Sequence, residues 1–112
     1  MTFRVYFNRR KQLIDVILHD VHPNTFERRG GGRWGYYDEA SGRNLKKGLF
    51  GEMHLVKSRV RSDTVAHELF HLLCDYIRSR EVYLSNMNEE YYALKFDEFT
   101  RNFWREYKKL MD

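Results

Sequence analysis

The fold of this chain is decided by residues 62–80, SDTVAHELFHLLCDYIRSR. Apolar side chains recur in this stretch at intervals of three, four and seven residues, the spacing that places them on one face of an α-helix. They are Val65, Ala66, Leu69, Leu72, Leu73, Tyr76 and Ile77. The pattern predicts an amphipathic helix from Ser62 to about Arg80, with its apolar face packed on a core.

The same stretch contains an H-E-x-x-H motif, formed by His67, Glu68 and His71. Residues four apart in an α-helix lie one turn above each other, so the two imidazoles can bind one ion. Imidazole nitrogens suit Zn²⁺. Glu68 directly follows the first histidine and would lie beside the open position of the ion, where a general base can take a proton from bound water.

The segments around this helix favour strands before it and a second helix after it. Residues 2–7 alternate between apolar and polar side chains, and residues 33–37 and 49–56 are short runs that are also typical of strands. A second long helix is expected to start near residues 86–88. One of its faces carries the apolar residues Ala93, Phe96, Phe99, Phe103, Tyr107 and Leu110.

Residues 10–21 fit two patterns. Leu13, Ile14, Ile17, Leu18 and Val21 recur at helical intervals, whereas the alternation of residues 14, 16 and 18 would suit a strand. We favour a helix for this segment.

Length and composition limit the architecture. The chain has 112 residues, of which 42% are hydrophobic and 32% charged, so we expect one globular domain over residues 1–112. Its fold class is predicted to be α+β, a minimal domain in which a small, mostly antiparallel sheet packs against the motif helix and a long C-terminal helix. Aromatic residues make up 16% of the chain and must fill much of the core.

The cellular location is predicted from features that the sequence lacks. The single cysteine, Cys74, excludes an internal disulfide and fits a reducing compartment. Neither a signal peptide nor an apolar run of membrane-spanning length is visible. We therefore expect a cytoplasmic protein with no membrane partner.

The net charge of +4 is unevenly distributed. Residues 28–61 carry nine basic and three acidic groups, whereas residues 62–112 carry seven basic and ten acidic groups. A basic middle segment is compatible with nucleic-acid binding, although its charges are scattered and form no regular stripe.

A catalytic zinc ion needs a third protein ligand. Between His71 and Glu90 lie 18 residues, and this spacing resembles the H-E-x-x-H-x(18)-E signature of the gluzincin metallopeptidases, in which a second helix supplies the later Glu. Glu89 is the alternative. Glu90 shares a helical face with residues 93, 94 and 97 and is expected to face inward, whereas Glu89 fits a capping box at the helix start.

The residues Val65–His71 followed by Glu90–Ala93 resemble, more closely, the small single-domain zincins of phages and mobile elements and the IrrE/ImmA-like group. The resemblance covers residues 50–100 and is specific at the metal-site positions. It implies that His67, His71 and Glu90 bind Zn²⁺ and that Glu68 is the catalytic base. It also implies that residues 51–56 form the sheet edge that pairs with an extended peptide substrate.

Several polar residues have weaker assignments. Asp75 or Asp97 could orient a metal ligand. His54 could polarise the scissile carbonyl but is expected to be a surface residue, and His19 and His22 are expected to lie on the surface as well.

The sequence therefore predicts a zinc-dependent metallopeptidase acting on a peptide or protein substrate. Two alternatives stay open: a basic nucleic-acid-associated protein, which could act on DNA-bound proteins, and a non-hydrolytic regulatory module with the same fold.

Overall fold

Four strands and two long helices make up the computed structural model, which describes residues 1–8, 11–21, 35–39 and 50–112. A short 3₁₀ helix, Lys57–Arg59, precedes the first long helix. The strands are β1 (Thr2–Asn8), β2 (Lys11–His19), β3 (Gly35–Glu39) and β4 (Gly51–Val56), and the helices are α1 (Ser62–Ser79) and α2 (Glu89–Met111).

The strands form one sheet in the order β1-β2-β4-β3. β1 with β2 and β3 with β4 pair antiparallel, whereas β2 and β4 are parallel. The predicted fold class is confirmed: an α+β arrangement with a mostly antiparallel sheet and a long C-terminal helix. Both helices form where their apolar periodicity predicted them.

The prediction of a helix over residues 10–21 is wrong, because residues 11–19 form strand β2. Ile14, Val16 and Leu18 are buried, and the side chains between them are only half-buried, so the alternation describes this segment. β-Branched residues favour the extended backbone. β2 also pairs with β1 on one side and with β4 on the other, and the hydrogen bonds of these two pairings stabilise the strand over the helix that the spacing suggests.

The prediction that residues 51–56 form the sheet edge is also wrong. β4 lies between β2 and β3, so its backbone groups are used in two ladders and cannot pair with a peptide. Among the described strands, β3 and β1 are the two outermost.

One hydrophobic core joins the sheet and both helices. α1 packs against β3, α2 packs against β1, and the helices contact each other. Aromatic rings fill much of the space, as their number predicted: the ring centroids of Phe3 and Phe103 are 5.6 Å apart, and Phe99 lies 5.6 Å from Tyr76 and 5.9 Å from Phe7. The core fixes α1 over the sheet and leaves the motif histidines outside it.

No helix in the described residues has the length and apolar character needed to cross a bilayer. Half of the basic segment 28–61, with six of its nine basic residues, lies outside the described residues, as do His22 and the Gly30–Gly32 tract.

Candidate metal centre

Helix α1 brings together the three motif residues. His67, Glu68 and His71 each offer one ligand atom, and these atoms all lie within 4.8 Å of one another. Two ligands of one tetrahedral zinc ion, bound at 2.0–2.1 Å, are roughly 3.4 Å apart. Small rotations of these exposed side chains can bring the two histidine nitrogens to that separation, so the donor set fits two histidine ligands of one zinc ion.

The two histidines and the glutamate differ in exposure. His67 and His71 are exposed on the surface of α1, with their ring centroids 5.1 Å apart and their planes at 73°. Glu68 is only 4% exposed and lies on the side of α1 that packs on the sheet. A buried carboxylate therefore stands beside two imidazoles that solvent can reach.

Gly35, the first residue of β3, lets the sheet approach Glu68. A Cβ at this position would lie 3.5 Å from Glu68 Cγ, 2.9 Å from the His54 carbonyl oxygen and 2.8 Å from Leu55 Cδ2. The last two distances are shorter than ordinary van der Waals contact, so a side chain here would push β3 outward. The sequence carried a signal for this position, because an isolated glycine inside a strand marks a close approach of another element.

The environment of His71 favours its neutral form. Burial lowers the pKa of its imidazole, and the positive charges of protonated His67 and of Arg78 lower it further. A neutral imidazole is the form that binds a metal ion. At neutral pH the His71 imidazole is therefore in the form that can bind a metal ion.

A hydrogen bond connects β3 to α1 at a second place. The Tyr37 hydroxyl donates to Asp75 Oδ2 at 2.8 Å and also lies 3.1 Å from the Phe50 carbonyl oxygen. Asp75 is seven residues after Glu68, on the same side of α1. This contact and the close approach at Gly35 fix the distance between the outermost strand and the motif helix. Tyr37 was not singled out from the sequence, since nothing in its local pattern points to Asp75.

The start of α2 carries the two candidates for a third ligand. Neither Glu89 nor Glu90 belongs to the group within 4.8 Å, in the part of the chain that the structure describes. The face that Glu90 shares with Leu94 is not directed inward, since Leu94 is 56% exposed. The buried face of α2 is instead the one formed by Tyr92, Phe99, Asn102 and Phe103.

Glu89 has different surroundings from those expected. Side chains hold the turn before α2: the Ser85 N–H donates to Asn88 Oδ1 at 2.8 Å, and Ser85 Oγ accepts from the Met87 N–H at 3.2 Å, whereas Asn88, the N-cap residue, makes no side-chain cap hydrogen bond. Glu89 therefore does not have the capping role predicted for it.

A cavity of about 210 Å³ separates the two helices on this side, and Glu89 lines it. Phe70 and Cys74 of α1 form part of its opposite wall. These two residues are one residue before and three residues after His71, so the cavity begins directly beside the motif. Of the two glutamates, Glu89 is thus the one that borders this cavity, and it is otherwise exposed.

The remaining predicted residues lie away from the motif. Asp97 is exposed on α2. His54 alternates along β4 with the core residues Met53 and Leu55, so it lies on the sheet face opposite α1. The suggestion that it polarises a substrate carbonyl at the motif is therefore wrong.

His54 and His19 were expected to be surface residues, but the structure makes them neighbours. His19 Nε2 lies 2.9 Å from His54 Nδ1, and the two rings stack with centroids 5.2 Å apart. Both are half-buried.

Comparison with protein families, with curated proteins and with solved structures gives no match to this chain.

Proposed function

We propose that this chain is a zinc-dependent metallopeptidase, with His67 and His71 as metal ligands and Glu68 as the general base. The observation that carries this proposal is the grouping of two exposed imidazoles and one buried carboxylate within 4.8 Å. Exposure leaves the coordination positions away from α1 accessible to water and to a substrate, as a catalytic rather than a structural zinc site requires.

A bound zinc ion supplies Lewis acidity: it lowers the pKa of water to about 7 and polarises a carbonyl group. Glu68 takes one proton from the attacking water on its carboxylate. The water oxygen forms a bond to the carbonyl carbon, the C–N bond breaks, and Glu68 passes the proton to the leaving nitrogen. The position of Glu68 against β3 restricts the motion of its side chain and so holds the carboxylate in one orientation.

The third ligand in this proposal is a glutamate at the start of α2. The 18-residue spacing predicts Glu90, and this stays a prediction. The contacts of the helix start support Glu89, since this residue lines the cavity against α1 and is not occupied by capping. Rotation of its side chain would have to bring the carboxylate toward the histidines.

The substrate in this proposal is an extended peptide that pairs with β3. This strand is outermost in the described sheet, and its first residue, Gly35, lies so near Glu68 that a Cβ there would be 3.5 Å from Glu68 Cγ. Pairing along β3 would bring a peptide backbone to the motif and would use main-chain hydrogen bonds, which discriminate little between side chains.

The test is hydrolysis of a peptide library prepared from a denatured proteome, with new termini detected by mass spectrometry. The zinc-loaded protein is expected to create new termini, to stop when a chelator removes the metal, and to resume when zinc is restored. The double variant His67→Ala/His71→Ala is the matched control. Absence of zinc-dependent termini at full metal occupancy contradicts a peptidase.

A further inference from the structure

A second group of metal-binding side chains lies on the sheet face opposite α1. Its centre is the pair His19 and His54, which come from the neighbouring parallel strands β2 and β4. The facing nitrogens, His19 Nε2 and His54 Nδ1, are 2.9 Å apart. Two donor nitrogens that face each other at this distance are close to the separation of roughly 3.4 Å that one tetrahedral ion requires.

Glu52 interacts with the other nitrogen of His54. Glu52 Oε1 lies 3.5 Å from His54 Nε2, on the far side of the ring from His19. This contact favours the tautomer in which Nε2 carries the proton and Nδ1 keeps its lone pair toward His19. Metal-binding histidines commonly have such a carboxylate on their second nitrogen, where it orients the ring and increases its basicity.

Asp38 supplies a further carboxylate on the same face. It is opposite Glu52 in the antiparallel register of β3 and β4, and residues opposite each other project from one face of the sheet. Its carboxylate does not join both histidine nitrogens in a group within 4.8 Å, so it adds negative charge to this face and is not counted as a ligand.

We propose that the facing imidazoles of His19 and His54 bind a divalent transition-metal ion at a second site, with Glu52 orienting His54. The strands fix the two imidazoles, and widening their nitrogen separation by about half an ångström needs only small side-chain rotations. Imidazole ligands suit Zn²⁺, Ni²⁺ and Cu²⁺, with Cu²⁺ bound most tightly. The site would stabilise the contact between β2 and β4 and is independent of the proposed hydrolysis.

The test is zinc stoichiometry by equilibrium dialysis and elemental analysis, on four forms of the full chain. The wild type is expected to bind two ions. The variant His67→Ala/His71→Ala and the variant His19→Gln are each expected to bind one, and the triple variant none. Glutamine is chosen because it keeps a hydrogen-bonding group in the sheet.

Two other results would distinguish between the two proposed metal sites. If the wild type binds one ion and His67→Ala/His71→Ala binds none, the second site is refuted and the first is supported. If the single ion persists in His67→Ala/His71→Ala but is lost in His19→Gln, the second site stands and the proposed catalytic centre fails.

A spectroscopic readout covers the case in which a variant does not fold. Zinc added to His67→Ala/His71→Ala is expected to shift the ring nitrogen resonances of His19 and His54. Unchanged ring resonances would show that the pair is only a hydrogen bond between strands, and would overturn the proposal.

Discussion

Two histidine pairs in this molecule are built in different ways. His67 and His71 are four residues apart on one helix, and both are exposed. His19 and His54 are 35 residues apart on two parallel strands, and both are half-buried. The first pair is brought together by helical geometry alone, the second only by the register of the sheet. A local pair can be read from the sequence, whereas a pair made by strand register cannot.

The nearby carboxylates differ as well. Glu68 is buried and lies within 4.8 Å of both histidines of the helix pair, where it can exchange a proton with a reacting water. Glu52 approaches the sheet pair from the far nitrogen of His54, where it can only orient the ring. On the two proposals, the helix pair takes part in hydrolysis, whereas the strand pair stabilises the sheet.

The largest expected effect comes from removing one ligand of the helix pair. His67→Ala is expected to weaken zinc binding at that site by more than about 100-fold, since even the loss of a hydrogen-bond partner behind a ligand costs 10–100-fold. Because His67 is exposed, folding should be little affected. Competition with a chromophoric chelator measures the affinity in the His19→Gln background, which serves as the control. Unchanged zinc affinity in His67→Ala would show that His67 is not a ligand and would contradict the difference proposed between the two histidine pairs.

The next effect identifies the ligand from α2. Glu89→Gln is expected to lower zinc affinity at the helix pair by at least about 10-fold. Glu90→Gln, its matched control one residue along an exposed face, should leave the affinity nearly unchanged. The same chelator competition measures both. The reverse ranking would support the ligand predicted from the 18-residue spacing.

Gly35 lies between the two regions, because a Cβ at this position would meet both Glu68 Cγ and the His54 carbonyl oxygen. Gly35→Ala is expected to destabilise the fold by about 1–3 kcal/mol, the range typical of overpacking. The new Cβ would lie 2.8 Å from Leu55 Cδ2 and 2.9 Å from backbone oxygen. Urea denaturation measures the change, with Lys11→Ala at an exposed strand position as the control. Equal stability of Gly35→Ala and the wild type would show that β3 has room to move away from α1.

The smallest effect concerns pH and the sheet pair. The pKa of His54 is lowered in the folded protein by burial, so the unfolded chain binds its proton more readily. Stability from this group is complete above the ordinary histidine value of about 6.5 and is lost as the pH falls from there through the lowered pKa. Metal-free wild type should therefore lose stability more steeply below pH 6.5 than His54→Gln. Urea denaturation between pH 7.5 and 5 compares the slopes, and equal slopes would contradict the effect.

How much was predictable depended on whether a feature is local. Strand β1 and both helices follow from the spacing of their apolar residues, and the motif follows from the four-residue spacing of His67 and His71. The sequence favours a helix for residues 10–21, but their apolar residues fit the helical and the strand period equally. Pairing with β1 and β4 makes residues 11–19 a strand. The position of β4 inside the sheet also depends on long-range pairing, which its own residues do not encode.

The start of α2 shows how sensitive site residues are to helix phase. Glu89 and Glu90 are adjacent, but successive helical residues are turned by about 100°, so only one can face α1. Assigning Leu94 to the inner face pointed to Glu90, whereas the buried face of the helix runs through Tyr92 and Phe99. The motif residues themselves could be named from the sequence, but the phase of the neighbouring helix could not.

The most direct test of the account is the variant Glu68→Gln, with zinc content and peptide hydrolysis measured on the same preparation. Asp63→Asn, an exposed carboxylate on the same helix, is the matched control. If Glu68 is the general base of a zinc peptidase, Glu68→Gln keeps its zinc and loses the new peptide termini, whereas Asp63→Asn keeps both. Hydrolysis at the wild-type rate by zinc-loaded Glu68→Gln would contradict the central claim.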